Sequence, residues 1–272
     1  MFATVSFIVA LANAHAETPL DIPSVKPSSG PWDSGGGFRF RVGADKEEIS
    51  RKSLSGIACN LNAAQERVCL MAFDEGVQAH FANLQQNALV ADLQGLDLLN
   101  KERGELDGEG AATDGTYFYV TGSHSVKRHD CKPNRWSRHV IRFRLDPATG
   151  RALRSPAGKL VDYGDTERLW SIMKSQPELQ AYVGKCLGSE PPPGATKLKG
   201  QHGANIEGLA IKDGRLYFGF RGPARDGRAN VLAVDAAALF DGGDPRARVT
   251  QLALGKGRGV RDMVATEAGF LL

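Results

Sequence analysis

Acidic residues stand at matching positions in repeated segments of this 272-residue chain. Glu109 and Glu207 each precede a glycine and open a short apolar segment, and Asp262 occupies the adjacent position in a third segment. Carboxylates that converge on one axis offer the oxygen ligands that Ca²⁺ prefers, and they can also transfer protons to or from a bound ester. We therefore take Glu109, Glu207 and Asp262 as candidate metal ligands for Ca²⁺.

Basic residues lie close behind in the same segments. His124 and Arg221 end the second apolar stretch of two repeats, Lys127 follows shortly after His124, and Arg261 precedes the acidic residue of a third repeat. Arginine holds a phosphate or carboxylate by bidentate contact, and histidine transfers protons near neutral pH. The candidate catalytic residues are Glu109, Glu207 and His124, and the candidate substrate-binding residues are Arg221, Arg261 and Lys127.

A purely structural role is the alternative for these residues. A glutamate at a strand start can accept backbone N–H bonds from the neighbouring repeat, and the glycine after it allows close backbone approach. An arginine at a fixed position of the repeat can pair with that glutamate and hold two repeats together. His129, His139 and His202 have no partner pattern, and we expect them on the surface. No nucleophile elbow, phosphate-binding loop or dinucleotide fingerprint is present to decide between the two roles.

The elements that must position these residues are paired strands. The segment 205–222 contains an apolar strand, then Asp213-Gly214, which is the signal for a two-residue type I′ hairpin, and then an aromatic-rich strand. The segment 109–120 matches it position for position, and versions with other loop lengths occupy 55–73 and 261–272. A fixed period of this kind, with several short strands per period, predicts β-propeller blades. A helical array would instead show a 3.6-residue apolar period.

The sequence therefore predicts an all-β fold, a propeller-like array of four-stranded blades that is incomplete at the C-terminus and carries a short helical insertion. We expect a signal peptide over 1–16, an extended lead-in over 17–37, and a propeller-like domain over 38–272 that begins with a strand at 38–42. Three complete blades can be recognised, and the chain ends within a strand. A closed ring usually needs at least four blades, so we interpret the chain as a fragment.

The insertion is predicted at 165–204, after a strand at 160–163 that closes the second complete blade. Leu169, Ile172 and Met173 within it have helical spacing, and a proline-rich connector follows. Insertions of this kind sometimes cover a ligand site, although most are surface additions without a binding role.

The N-terminal segment predicts export. Residues 2–12 are apolar and are followed by Ala14-His15-Ala16, an A-x-A cleavage signal. The segment is too short to span a bilayer, so no membrane span is expected after cleavage. An apolar N-terminal strand is the alternative. The formal net charge is +3, with basic residues scattered among acidic ones, which provides no patch for nucleic acid.

The cysteine count agrees with export to the periplasm or beyond the cell. An even set of four cysteines in an exported chain predicts two disulfides, for which three pairings are possible. Cys59 and Cys69 lie on the two strands of one predicted hairpin, where a cross-strand bridge is geometrically plausible. That pairing leaves Cys131 with Cys186. A zinc site is less favoured, because no pair has C-x-x-C spacing.

An ordered set of motifs lies at 106–112, 122–125, 205–210, 219–223 and 259–263. In this order the motifs resemble a bacterial family known as domain of unknown function 3616, and the resemblance extends from about residue 50 to the end. It implies a propeller-like β architecture and no established activity. The Asp-x-Glu-Gly opening at Glu109 is also similar to that of the esterase-like phytase propellers.

We therefore expect an exported propeller-like protein of unknown activity that acts as a ligand-binding or envelope-interaction module. Its partner would be a small anionic ligand or an envelope protein. The alternative is a metal-assisted hydrolase of phosphate or other esters at the channel mouth. The bonds of Glu109 and Glu207 discriminate, because backbone amide partners would favour binding or a purely structural role.

Overall fold

The computed structural model describes residue 26 and residues 50–86, 88–99, 104–187 and 203–272. The predicted signal peptide, the lead-in and the strand at 38–42 lie outside the described residues. So do His202 and most of the proline-rich part of the predicted insertion. No helix in the described part of the chain is both long and apolar enough to cross a bilayer.

The first sheet is an antiparallel meander in the order β1-β2-β3-β4, with a short fifth strand paired to the start of β3. Its strands are β1 (Leu54–Leu61), β2 (Arg67–Phe73), β3 (Gln78–Gln85), β4 (Ala88–Ala91) and β5 (Leu96–Asp97). This sheet is the blade predicted to open near Ser55.

The second sheet has the order β6-β7-β8-β10, and β9 also pairs with β8. Its strands are β6 (Gly108–Thr113), β7 (Tyr117–Gly122), β8 (Val140–Asp146), β9 (Arg151–Ala152) and β10 (Gly164–Thr166). A 3₁₀ turn at Trp136–Arg138 precedes β8, and helix α1 (Arg168–Ser175) follows β10. Helix α1 is the predicted helical insertion, and the apolar residues that predicted it are buried.

The third sheet has the order β11-β12-β13-β14, and a two-stranded hairpin follows it. The elements are β11 (Asn205–Lys212), β12 (Arg215–Gly222), β13 (Arg228–Asp235), α2 (Ala236–Asp241), β14 (Arg248–Ala253), β15 (Val264–Thr266) and β16 (Gly269–Leu271). Asp213 and Gly214 both have positive φ, as the predicted hairpin turn requires.

The apolar core lies between the faces of successive sheets. Phe118 of the second sheet packs between Phe81 of the first sheet and its neighbour Phe143, with ring centroids 5.4 and 5.7 Å away. A second buried cluster joins Val140 of β8 to Phe218 of β12 and to the apolar side of α1. Each sheet therefore buries its faces against its neighbours in the chain, as the blades of a propeller do.

The first strands of successive blades come into direct contact through glycine. A Cβ atom built on Gly56 would lie 2.7 Å from the Cα of Gly110, and one built on Gly110 would lie 2.7 Å from the Cβ of Leu209. Only a residue without a side chain permits this separation. The fold is therefore an all-β, propeller-like array, as predicted.

Both predicted disulfides are present. Cys59 and Cys69 are directly opposite one another on β1 and β2. Cys131, in the loop after β7, is bonded to Cys186, in the segment after α1. The second bridge ties two loops that are distant in sequence and that both border the cleft described next.

Candidate functional site

A cleft of about 690 Å³ opens at the edge of the sheets where β2 and β7 end and where β6 and β11 begin. In an antiparallel sheet the end of one strand and the start of its neighbour lie at the same edge. Residues from all three blades therefore reach the cleft, although the segments that supply them are far apart in the sequence.

A β-bulge recurs at the start of the first strand in each of the three blades that the structure describes. The pairing registers of β1, β6 and β11 with their neighbouring strands skip Ser55, Glu109 and Glu207 respectively. A bulge leaves one residue outside the ladder and redirects its side chain. The hydroxyl of Ser55 donates to the carboxylate of Glu109 over 2.5 Å, so the bulge residues of the first two blades are in contact.

Three carboxyl groups gather on the wall of the cleft. Asp74 follows β2 directly, Asp107 precedes β6, and Glu109 is the bulge residue of β6. One oxygen from each of the three lies within 4.8 Å of the others. Asp107 accepts a hydrogen bond from the hydroxyl of Ser123 and shares another with Asp74.

Burial sets the electrostatics of this group. The pKa of Glu109 is raised to about 7, chiefly by burial; the charges of Glu207 and Asp74 also raise it, whereas the hydrogen bond from Ser55 and the charge of Arg261 lower it. Burial, followed by the bond to Asp74, raises the pKa of Asp107 well above its usual range. Among the described residues, no lysine or arginine forms an ion pair with the three carboxyls. Protons, as the raised pKa values of Glu109 and Asp107 indicate, offset part of the charge of this group.

Glu207 has a different environment from Glu109. Its carboxylate accepts hydrogen bonds from Arg221 over 2.7 Å and from Asn205 over 2.9 Å, and it pairs with Arg261 over 2.8 Å. Arg261 precedes the terminal hairpin, so this ion pair joins that hairpin to the third blade. The two arginines predicted to bind substrate instead contact a predicted catalytic residue, which is the arrangement that the structural alternative describes.

Neither glutamate accepts a hydrogen bond from a backbone amide of the described residues. The partners of Glu109 and Glu207 in the described structure are a serine hydroxyl, an asparagine amide and two guanidinium groups. Asp262, the third predicted metal ligand, accepts the backbone N–H of Met263, and burial raises its pKa. It does not belong to the cluster on the cleft wall.

Asn205 occupies the place in the third blade that Asp107 occupies in the second, two residues before the bulge glutamate. Its side chain lines the cleft and is 4% exposed. The amide nitrogen donates to Glu207, while the amide oxygen is buried and accepts no hydrogen bond within the described part of the chain.

His124 is fully buried and does not line the cleft, although the next residue, Ser125, does. Its Nδ1 lies 3.0 Å from the carbonyl oxygen of Gly122, and its Nε2 has no hydrogen-bond partner among the described residues. The pKa of His124 is lowered to about 4, chiefly by burial; the carbonyl of Gly122 raises it, and the charges of His139 and Arg138 lower it. His124 is therefore neutral across the physiological range.

One part of the rim of the cleft is basic, although the acidic residues Glu75 and Glu105 also line the cleft. Lys127, Arg128 and His129 are exposed on the loop after β7 and line the opening. The Cys131–Cys186 disulfide fixes this loop against the segment after α1, of which Leu187 also lines the cleft. Lys127 is thus the one predicted substrate-binding residue that the described structure places at the cleft.

His139 is not on the surface, so that expectation is wrong. It is 4% exposed, stacks on Trp136, and places Nδ1 2.6 Å from a carboxylate oxygen of Asp165 on β10. His129 is exposed, as expected.

Sequence reasoning missed Asp74, Asp107 and Asn205. The signal for Asp107 and Asn205 was available, because each stands two residues before a bulge glutamate. Asp74 gave a weaker signal, since its place at the cleft depends only on where β2 ends.

A family model described as protein of unknown function (DUF3616) matches residues 57–149 and 143–272. No curated protein matches the chain. Among solved structures, the chain is similar to a GH43 β-1,3-galactosidase in complex with galactodeoxynojirimycin, at 12% identity and a TM-score of 0.34, covering 83% of this chain and 67% of that chain. A similarity at this level gives no information about the chemistry of the cleft.

Proposed function

This chain belongs to the DUF3616 family of proteins of unknown function, and from its own geometry we propose that it is an exported module that binds a small anionic ligand in the cleft. The observation that carries this proposal is the basic rim. Lys127, Arg128 and His129 stand together on one loop that lines a cleft of about 690 Å³, a volume in the range that small-molecule ligands occupy.

The disulfide between Cys131 and Cys186 supports this function in two ways. It holds the loop with the basic residues in place before a ligand arrives, and preorganisation of this kind lowers the entropic cost of binding. Disulfides also persist in oxidising compartments, so the two bridges support a periplasmic or secreted location.

Binding of inorganic phosphate by calorimetry at low ionic strength tests the proposal. The K127A/R128A variant is expected to bind phosphate about tenfold more weakly or worse, since a hydrogen bond to a charged group contributes about 1.5–3 kcal/mol. The matched control is K159A/R248A, which removes the same charge from two exposed positions away from the cleft. Equal losses in the two double variants would show that only net charge matters, and the proposal would fail.

A metal-assisted hydrolase of phosphate or other esters is the second candidate. The gathering of Asp74, Asp107 and Glu109 beside basic side chains favours it, because such enzymes combine a metal ion with groups that hold the departing anion. Release of 4-nitrophenol from 4-nitrophenyl phosphate, with and without Ca²⁺, is the measurement. Absence of turnover, or turnover that Glu109→Gln leaves unchanged, removes this candidate.

A further inference from the structure

We propose that Asp74, Asp107 and Glu109 form a site for a hard divalent cation, Ca²⁺ first among them, and that the side-chain oxygen of Asn205 is its fourth protein ligand. This set differs from the ligands that sequence reasoning selected, because two of those three residues lie outside the cluster. The site also does not depend on the proposed function, since a cation can be bound in the absence of any anion.

The spacing of the three carboxyl oxygens fits one ion. Ca²⁺ takes oxygen ligands at about 2.3–2.6 Å, so two ligands on opposite sides of the ion are about 5 Å apart and all others are closer. The three oxygens lie within 4.8 Å of one another. They come from two segments of the chain that the sheet edge brings together, so the fold positions them without a bound ion.

The contrast between equivalent positions in two blades supports a cation at this place. Glu207 is the bulge residue of the third blade, and two guanidinium groups contact it. Glu109 is the bulge residue of the second blade, and within the described structure it has a serine hydroxyl and two further carboxyl groups around it. A cation on the cleft wall would give Glu109 the positive partner that Glu207 already has.

Asn205 supplies the independent observation. Its side chain is almost completely buried, it lines the same cleft, and its oxygen accepts no hydrogen bond from the described residues. The bond from its nitrogen to Glu207 fixes which end of the amide is the oxygen. A buried acceptor without a partner costs about 1–3 kcal/mol, and amide oxygens are ordinary Ca²⁺ ligands. Coordination would satisfy this atom.

The ion would have one consequence for ligand binding, and this consequence rests on the proposed function. An anion that enters past Lys127 and Arg128 meets three carboxyl groups on the wall. A divalent cation held by those groups would turn a repulsive wall into an attractive one and could bridge protein and ligand. Phosphate affinity is then expected to rise when Ca²⁺ is present.

The test uses the full chain after treatment with a chelator and its removal. Calorimetry with Ca²⁺ alone is expected to give one site per chain, and Ca²⁺ is expected to raise the melting temperature. Asp107→Asn and, separately, Asp74→Asn should each weaken Ca²⁺ binding about tenfold or more. Asparagine tolerates the positive φ of Asp107, and Asp74 is only partly buried, so at least one of the two variants keeps its fold.

Asp226→Asn is the matched control, because Asp226 is exposed, has positive φ like Asp107, and lies away from the cleft. It should bind Ca²⁺ as the unaltered protein does. Absence of a one-to-one site at millimolar Ca²⁺, or full affinity in both cluster variants, would overturn the proposal. Ca²⁺ binding without any phosphate binding would leave the site standing and refute the anion-binding function, and the reverse result would refute only the site.

Discussion

Acid stability offers a direct test of the packing around His124. The ring is fully buried and its pKa is lowered from 6.5 to about 4. The unfolded chain therefore binds a proton on this residue at a pH where the folded chain does not. The free energy of unfolding therefore contains a contribution from His124 that is fully present above about pH 6.5 and is lost as the pH falls toward 4. A difference of about 2.5 units, at 1.36 kcal/mol per unit, corresponds to about 3 kcal/mol.

The groups around His124 act on its pKa in both directions. Arg138 and His139 both oppose a positive charge on the ring, while the carbonyl of Gly122 favours one. Glu109 has the opposite effect on the pH dependence of stability. Because its pKa is raised in the folded chain, its contribution to the free energy of unfolding is largest in acid and decreases as the pH rises. The pH profile of the unaltered protein alone is therefore not diagnostic, and a difference between two variants is needed.

Urea unfolding at several pH values between 7 and 4, in the presence of a chelator, makes the comparison. His124→Asn removes the titrating ring, and asparagine tolerates the left-handed backbone at this position. The variant should be less stable than the unaltered protein at pH 7, because the packing of the ring is lost. By pH 4 that gap should narrow by about 3 kcal/mol. His129→Asn, on the exposed part of the same loop, should follow the unaltered protein. Parallel profiles for His124→Asn and the unaltered protein would refute the reasoning.

Two further predictions concern the contacts that build the site. Gly110→Ala should destabilise the protein by about 1–3 kcal/mol in urea unfolding, because its Cβ would overlap that of Leu209 on the neighbouring blade, and unchanged stability would contradict the close approach. Replacement of both Cys131 and Cys186 by serine should weaken phosphate binding. Without the disulfide the basic loop is no longer held in place, and each of its side chains that contacts phosphate must be ordered on binding, at a cost of about 0.5–1.5 kcal/mol. Serine replacement of the other disulfide is the control, and an equal loss of affinity there would contradict a local role for the rim.

The features that sequence predicted correctly are local ones. The Asp213-Gly214 turn and the alternation of the flanking residues specify a hairpin without reference to the rest of the chain, and β11 and β12 form it. Cys59 and Cys69 were placed on facing strands for the same reason. The repetition of such hairpins along the chain then predicted propeller blades, because a propeller is built from several copies of one unit.

The features that sequence missed depend on distant partners. The strand expected at 160–163 is mostly apolar and suits a β conformation, yet within it only Leu160 forms a bridge, to Arg154, and the strand that pairs with β8 is Gly164–Thr166. Tyr163 directs its hydroxyl to the carbonyl of Leu98, and Asp165 contacts His139. Both partners lie far from this segment in the sequence, so local propensity did not reveal the choice. The burial of His139 was missed for the same reason.

The candidate site shows why repeated sequence does not imply repeated chemistry. Ser55, Glu109 and Glu207 occupy the same bulge in three blades, so the fold directs all three side chains in the same way. What differs is the set of partners around each residue. Glu207 meets Arg221 from its own blade and Arg261 from the segment before the terminal hairpin, whereas Glu109 lies near Asp107, just before its own strand, and Asp74, from the end of β2. The repeat predicts the position of the bulge residue, and the side chains that the folded chain places around it decide whether that residue forms an ion pair or part of a cleft wall able to bind a cation.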